Sequence, residues 1–190
     1  MLNQRIQGLY GITPDKGLNI GLIENVIKKH NIKILQYRRK AVNKKNKAEE
    51  ATKLLNLCLE HNTLFIVNDD VNLCEKVGAH GIHIGQGDMS TKSAREVLGD
   101  KFIIGVSCHN SLELAIEAEK NGANYIALGS IFKSKNKPKA IHCPLSKIEE
   151  IKKNISIPIV GIGGINLENQ HYVYEAGCSS VAMIDGLFRE

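Results

Sequence analysis

One complete repeat of the pattern that indicates the fold lies at residues 63–86, TLFIVNDDVNLCEKVGAHGIHIGQ. Two short apolar runs, 63–69 and 81–86, lie on either side of an amphipathic segment, VNLCEKVGA, with a glycine near its end. Short β-branched runs that alternate with helix-length amphipathic segments are typical of parallel β/α units. This stretch therefore predicts a strand, a helix and a second, parallel strand.

The same alternation continues along the whole chain. Eight apolar runs share it: 8–13, 32–38, 63–69, 81–86, 102–108, 125–132, 158–164 and 180–185. Eight parallel strands predict an α/β fold, a (β/α)8 barrel of the TIM type, as a single domain over residues 1–190. Because the chain ends soon after the last run, we expect the eighth helix to be missing or about one turn long. A doubly wound open sheet is the alternative, although no dinucleotide-type glycine fingerprint follows the first run.

Composition narrows the class of protein. With 43% hydrophobic and 24% charged residues, the chain resembles ordinary soluble enzymes, and no apolar run is long enough for a membrane helix. The N-terminus has no apolar stretch after a basic segment, so we expect no signal peptide and a cytoplasmic protein. The five cysteines are odd in number and lack C-x-x-C spacing, which predicts reduced thiols.

Zinc and nucleic acid are both disfavoured. His80 and His83 are three residues apart, but the sequence places no third ligand near them. The net charge of +5 is spread mostly over helices, except for four lysines in FKSKNKPKA at 132–140, which we call the lysine loop. That loop carries no interleaved aromatic residues for base stacking, so we predict no nucleic-acid partner.

The second run ends in a set of polar residues at alternate positions. Gln36, Arg38 and Lys40 face the same side if the strand continues through them, because strand side chains alternate. In a closed barrel that side is the lumen, where an amide, a guanidinium and an ammonium group could bind a phosphorylated ligand. A solvated strand end is the alternative.

Two aspartates follow neighbouring runs. Asp69 and Asp88 form a plausible pair of ligands for Mg²⁺, which takes one or two carboxylates together with substrate phosphate oxygens. The alternative is that each caps the helix that follows it, near Val71 and Thr91. The cations Arg38, Lys40 and Lys137 favour the metal site, because a metal ion and these three side chains together would neutralise a diphosphate leaving group.

Glycines in the second half of the seventh run suggest a second anion site. Small residues at Gly161, Gly163 and Gly164 would let backbone N–H groups approach a phosphate before the helix that starts near Asn166. Many barrels bind phosphate after strands seven and eight. Close packing and turning are the alternative explanation for these glycines.

Seven ordered motifs resemble those of the thiamine phosphate synthase family. They are LYGITPD at 9–15, Q-x-R-x-K at 36–40, VNDDV at 67–71, GIHIGQGDM at 81–89, GVSCH at 105–109, ALGSIFKSKNK at 127–137 and PIVGIGGI at 158–165. That family joins a hydroxymethylpyrimidine diphosphate to a thiazole phosphate and releases pyrophosphate with Mg²⁺. The resemblance covers nearly the whole chain and implies the same transferase activity, on small phosphorylated substrates and in thiamine biosynthesis.

The resemblance also implies roles for particular residues. The residues implied to bind the pyrimidine diphosphate are Gln36, Tyr37, Arg38, Arg39, Lys40, Asn68, Ser107 and Lys137; of these, Arg38, Lys40, Ser107 and Lys137 are the candidates for catalysis. Those implied to hold Mg²⁺ are Asp69 and Asp88. Those implied to bind the thiazole phosphate are Ser134, Lys135, Asn136, Gly164, Ile184 and Asp185. Asp185 stands where the family commonly has serine, so either its carboxylate turns away from the phosphate or the second substrate differs.

Two other functions are compatible with parts of this pattern. A thiazole tautomerase on a similar barrel would act on a thiazole phosphate alone and would not need the diphosphate-binding set. A non-catalytic module could use the lysine loop on a polyanion, with steep salt dependence and no need for the aspartates. The oligomeric state is left open, and a homo-oligomer is allowed.

Overall fold

The computed structural model of the chain describes residues 2–15, 17–39, 44–133 and 140–188. The strands over these residues are β1 (Gly8–Ile12), β2 (Ile34–Tyr37), β3 (Leu64–Asn68), β4 (Gly81–Ile84), β5 (Ile103–His109), β6 (Tyr125–Leu128), β7 (Ile159–Ile162) and β8 (Ser180–Met183). The helices are α1 (Ile20–His30), α2 (Lys44–Glu60), α3 (Val71–Val77), α4 (Thr91–Leu98), α5 (Leu112–Lys120), α6 (Leu145–Lys152), α7 (Gln170–Glu175) and α8 (Asp185–Phe188). A single turn of 3-10 helix, Leu2–Arg5, precedes β1.

The strands form a closed parallel barrel in sequence order. β8 returns to β1, where Gly8 is paired with Ser180 and Gly11 with Met183. The predicted (β/α)8 fold is confirmed, and the open doubly wound sheet is excluded because a closed barrel has no sheet edge. The last helix, α8, has 4 residues over the described part of the chain.

Side-chain alternation divides the buried residues into two layers. The inward side chains of the strands, among them Tyr10, Ile66, Tyr125 and Val160, form one cluster in the lumen. The outward side chains pack against the helices in a second, larger cluster. Because all strands are parallel, their carboxyl ends meet at one mouth, and the lumen opens there.

Side-chain caps start several helices directly after the strands. Asn19, Asp70, Ser90 and Ser111 each accept a hydrogen bond from a backbone N–H in the first turn of the helix that follows. Such caps satisfy N–H groups that a helix cannot pair internally. They hold the loops at the mouth of the barrel close to the strand ends.

No helix within the described residues is both long enough and apolar enough to cross a bilayer. All five cysteines are buried and free of disulfides, as predicted. Burial raises the pKa of the Cys108 thiol to about 12, and the adjacent His109 is exposed with a positive φ of 55°. Cys108 is therefore a protonated core thiol and not a nucleophile.

Candidate active site

Gln36 and Arg38 occupy different positions at the end of β2. Gln36 is buried in the lumen, where its Nε2 donates to the hydroxyl of Tyr10 at 2.8 Å. The strand ends at Tyr37, so Arg38 lies one residue beyond it, and its Nη1 is 2.6 Å from Oδ2 of Asp15. The alternation therefore predicts the place of Gln36, whereas Arg38 is positioned by the loop after β1. Lys40 lies outside the described residues.

Thr13 holds the backbone of Arg38 at the mouth of the barrel. The buried Thr13 hydroxyl accepts from the Arg38 N–H at 2.9 Å and donates to the Arg38 carbonyl at 3.2 Å. These two bonds extend the pairing of β1 with β2 beyond the last paired residues of the two strands. Thr13 and Asp15 were not predicted as site residues, although both belong to the LYGITPD motif.

Tyr37 and Arg39 point away from the lumen. The Tyr37 hydroxyl donates to Oε2 of Glu50 on α2 at 2.7 Å, and Nε of Arg39 is 3.4 Å from the same oxygen. Nη1 of Arg39 also donates to the carbonyl of Asp15 at 2.7 Å. Burial and the Glu50 carboxylate raise the pKa of Tyr37, so the phenol stays protonated. The structure thus separates these two side chains from Gln36.

A cleft of about 320 Å³ lies beside the mouth, where β2 and β3 end and α3 begins. Its lining includes the cationic side chains of Arg39 and Lys47 together with Asn68 and Asp69. Asn68 is half-buried at the last position of β3, paired in register with His83 of β4. The cleft therefore brings positive charge next to two residues that the sequence assigns to ligand binding.

Neither predicted metal ligand is a helix cap. The caps of α3 and α4 are Asp70 and Ser90, so capping does not explain Asp69 or Asp88. Asp69 is half-buried with a positive φ of 62°, and its N–H donates to the carbonyl of His83 at 2.9 Å. The exposed Asp88 accepts at Oδ2 from the N–H of Gly85 at 2.8 Å. Both carboxylates thus lie on loops that follow neighbouring strands.

By donor chemistry, the two carboxylates suit a divalent cation that takes its remaining ligands from a substrate. No group of three or more His, Cys, Asp or Glu side chains able to hold a metal ion is found in the part of the chain that the structure describes. Mg²⁺ commonly binds through one or two carboxylates plus phosphate oxygens and water, so a pair of aspartates suffices beside a diphosphate. The donor set suits this ion and lacks the nitrogen and sulfur ligands that zinc prefers.

A chain of hydrogen-bonded side chains crosses the lumen below the mouth. From Gln36 and Tyr10 it continues to Tyr125, 2.9 Å from Tyr10 between hydroxyl oxygens, and then to Nδ1 of His83 at 3.0 Å. Nε2 of His83 is 2.8 Å from Oγ of Ser107, which ends the chain. From the sequence, His83 was weighed only as a zinc ligand, and Tyr10 and Tyr125 were not predicted as site residues. Their inward strand positions are the signal that could have found them.

Glycines in and directly after β7 allow close packing on two sides of the strand. Gly163 and Gly164 have positive φ angles of 103° and 65°, and a Cβ there would lie 2.2 Å from Oγ of Ser130 and 2.6 Å from the carbonyl of Lys133, respectively. They allow the loops after β6 and β7 to pack closely at the mouth. A Cβ on Gly161 would instead lie 2.4 Å from Cγ1 of Val173 on α7. Close packing and turning therefore account for all three glycines, and the second anion site stays a prediction.

The remaining thiazole-side residues are described only in part. Ile184 and Asp185 are half-buried at the end of β8, and α8 packs on the loop after β7, since a Cβ on Gly186 would lie 2.7 Å from the carbonyl of Ile165. Asp185, the first residue of α8, and Gly164, in the loop after β7, therefore lie on adjoining segments. The lysine-loop residues predicted for the site, Ser134, Lys135, Asn136 and Lys137, lie outside the described residues.

Comparison with known proteins settles the family. The family model for thiamine monophosphate synthase matches residues 9–187. The chain belongs to the thiamine monophosphate synthase family. It is 41% identical over 188 residues to the thiamine-phosphate synthase of Thioalkalivibrio sulfidiphilus, covering 97% of this chain and 89% of the relative. A solved thiamine phosphate pyrophosphorylase from Pyrococcus furiosus is 33% identical, with a TM-score of 0.86 over 97% of this chain and 88% of that one.

A second relative supports the same assignment to the family. The thiamine-phosphate synthase of Nitrosococcus oceani is 41% identical over 191 residues, covering 99% of this chain and 88% of the relative. The resemblance inferred from seven sequence motifs is therefore confirmed over nearly the whole chain.

Proposed function

We propose that the protein joins 4-amino-2-methyl-5-hydroxymethylpyrimidine diphosphate to a 4-methyl-5-(2-phosphooxyethyl)thiazole and releases thiamine phosphate and pyrophosphate. The family match supports this transferase activity. The observation in the structure that supports the proposal is the hydrogen-bonded chain that links Gln36 of β2 to Ser107 of β5 across the lumen through Tyr10, Tyr125 and His83. Asn68, at the end of β3, is paired in register with His83 of the same chain.

The lumen would hold the pyrimidine and the mouth its diphosphate. Gln36 presents an amide inside the barrel, where a heterocycle can be held by directed hydrogen bonds. Arg38 lies at the mouth, and its guanidinium group can bind two phosphate oxygens at once. The resemblance assigns Lys40 and Lys137 to the same diphosphate. Asp15 would hold Arg38 in place until the phosphate competes for it.

The chemistry needs charge neutralisation more than acid-base catalysis. The bond between the pyrimidine methylene carbon and the diphosphate oxygen breaks, and the electron pair leaves with pyrophosphate. The electron-rich aminopyrimidine stabilises the resulting carbocation, and the thiazole nitrogen donates the electron pair of the new bond. Cations placed where negative charge develops favour such a step, and alignment of the two substrates supplies much of the remainder.

Asp69 and Asp88 would hold Mg²⁺ beside the diphosphate. The bound ion would neutralise part of the leaving-group charge. The two aspartates lie on the loops after β3 and β4, next to the strand ends that carry Asn68 and His83. Neither aspartate is the cap of an adjacent helix, because Asp70 and Ser90 take those positions.

The thiazole phosphate would lie on the opposite side of the mouth. Gly163 and Gly164 bring backbone close to the loop after β6, and the resemblance adds Ser134, Lys135 and Asn136. Ile184 would contact the thiazole from the end of β8. The carboxylate of Asp185 would repel a phosphate, so we infer that it turns away and that backbone N–H groups contact the ligand.

Product formation tests the proposal directly. Purified protein is supplied with both substrates, and thiamine phosphate and pyrophosphate are followed with Mg²⁺ present and then chelated. We expect coupling only with Mg²⁺, and a fall in kcat/KM of roughly tenfold or more for Asp88→Asn. Asp100→Asn removes an exposed carboxylate at the other end of the barrel and is the matched control.

Two results would overturn the proposal. Folded protein that forms no thiamine phosphate with Mg²⁺ supplied would contradict the transferase function, and tautomerisation of the thiazole alone would identify the isomerase instead. Coupling that is unaffected by chelation and by Asp88→Asn would contradict the metal site.

A further inference from the structure

The hydrogen-bonded chain Gln36–Tyr10–Tyr125–His83–Ser107 connects two ends of the proposed pyrimidine diphosphate site. Its three middle side chains have no assigned role. Tyr10 and Tyr125 are 1% and 0% exposed, and His83 is 8% exposed. Their polar atoms are separated from the next member of the chain by 2.8 to 3.0 Å, from Gln36 at one end to Ser107 at the other. Buried polar groups linked in this way polarise one another and hold a defined geometry.

Counting the hydrogens gives the chain a direction. Nε2 of Gln36 donates to Tyr10, so the hydroxyl hydrogen of Tyr10 is left for Tyr125. The hydrogen of Tyr125 then goes to Nδ1 of His83, which must be unprotonated to accept it. A neutral imidazole carries its proton on the other nitrogen, so Nε2 donates to Oγ of Ser107.

The opposite direction would leave a buried hydrogen unsatisfied. If Tyr125 donated to Tyr10, the Tyr10 hydroxyl would accept twice, and among the described residues no further hydrogen-bond partner of that hydroxyl would take its own hydrogen. A fully buried donor without an acceptor is strongly disfavoured. Burial raises the pKa of both phenols, so both keep their hydrogens near neutral pH. Only the first direction gives the hydroxyl hydrogens of both tyrosines an acceptor, and it leaves the Ser107 hydrogen for another partner.

A glycine in β5 makes room for the central phenol. A Cβ at Gly105 would lie 2.0 Å from Cζ and 2.3 Å from the hydroxyl oxygen of Tyr125. The Tyr125 ring can therefore lie across β5, stacked on His83 with ring centroids 5.6 Å apart. The backbone of β5 is thus adapted to hold Tyr125 between Tyr10 and His83.

We propose that Tyr10 and Tyr125 are positioning residues that act through His83 to aim the hydroxyl hydrogen of Ser107 at the substrate's diphosphate. With His83 donating to its oxygen, Ser107 acts as a hydrogen-bond donor to an anion at the mouth. The inference rests on the proposed function for the identity of that anion. The direction of the chain does not depend on it.

The tautomer of His83 tests the direction without any assay of activity. ¹⁵N spectra of the imidazole, assigned by the loss of its signals in His83→Gln, are expected to show the proton on Nε2 in the wild-type protein. Tyr125→Phe removes the donor to Nδ1 and is expected to give a mixture of tautomers. Tyr174→Phe, the same change in the helical layer, is expected to leave the spectrum unchanged. A proton on Nδ1 in the wild-type protein, or no change in Tyr125→Phe, would overturn the proposal.

Kinetics test whether the orientation of Ser107 is used. We expect Tyr125→Phe to lower kcat by roughly three- to tenfold with little change in KM, because the aimed hydrogen bond strengthens as the leaving group gains charge. In a Ser107→Ala background the same change is expected to have almost no further effect. Equal losses in both backgrounds would show that Tyr125 does not act through Ser107. If the wild-type protein forms no product, the proposed function fails while the spectra still decide the direction of the chain.

Discussion

His80 and His83 lie three residues apart and serve opposite ends of the barrel. His83 faces the lumen near the mouth, whereas His80 precedes β4 at the closed end. Nδ1 of His80 accepts from the N–H of Phe65 at 3.0 Å. The backbone pairing of β3 with β4 begins only at Ile66 and Gly81. The imidazole of His80 therefore takes the place of the backbone acceptor that the N–H of Phe65 lacks.

Protonation of His80 is expected to weaken the fold in mild acid. Burial and the nearby Arg5 lower the pKa of His80 below its ordinary value of about 6.5, so the unfolded chain binds the proton more tightly than the folded one. The hydrogen bond from Phe65 to His80 contributes fully to the free energy of unfolding above about pH 6.5. This contribution is lost as pH falls through the folded-state pKa of His80, since a protonated imidazole cannot accept from Phe65.

Denaturant titrations between pH 7 and 5 measure this effect. His80→Asn keeps an acceptor but does not titrate, so we expect it to flatten the pH dependence of the free energy of unfolding by about 1 kcal/mol, the value of one hydrogen bond. His171→Asn removes an exposed imidazole and is the control. An unchanged slope in His80→Asn would contradict the assignment.

At the scale of elements, one arginine joins three segments at the closed end. Nη1 of Arg95 on α4 donates to the carbonyls of Gly99 and Phe102 at 2.6 and 2.8 Å. Its Nη2 donates to the carbonyl of Gly122 and to Oδ1 of Asn124 at 2.8 and 2.7 Å. The guanidinium thus ties the end of α4 to the start of β5 and to the loop before β6.

Arg95→Lys is expected to lower stability without altering catalysis. A single ammonium group cannot reach acceptors on both sides of the planar guanidinium, so at least two hydrogen bonds are lost, a cost of about 2 kcal/mol. Thermal unfolding and steady-state kinetics on the same variant separate the two effects. Arg5→Lys, at an exposed position, is the control. A large fall in kcat with unchanged stability would place Arg95 in the active site, against this prediction.

At the scale of the whole molecule, the barrel closes with a reduced final helix. β1 and β8 are paired from Gly8 and Ser180 to Gly11 and Met183. The one-turn α8 covers this seam: Leu187 is 7% exposed, and the ring of Phe188 lies 3.4 Å from where a Cβ on Gly11 would stand. A short helix suffices because the strand ladder itself is complete and α1 packs against α8.

Leu187→Ala tests how much closure depends on α8. Removal of this buried side chain is expected to cost about 2–4 kcal/mol in the free energy of unfolding. Leu59→Ala, at a position that is 58% exposed on α2, is the matched control and is expected to change it by less than about 0.5 kcal/mol. A loss below about 1 kcal/mol for Leu187→Ala would show that the ladder alone holds the seam.

Local alternation and chain order are enough to predict the eight strands, their order and the position of Gln36 in the lumen. The tertiary structure decided which side chains meet. Tyr10 and Tyr125 are 115 residues apart along the chain, and their contact exists only because the barrel closes. The caps at Asp70 and Ser90 differ from those considered at Asp69 and Asp88, because a cap depends on backbone angles that residue type alone does not specify. Local preferences therefore predicted the elements, while the three-dimensional packing of distant strands determined the polar network of the site.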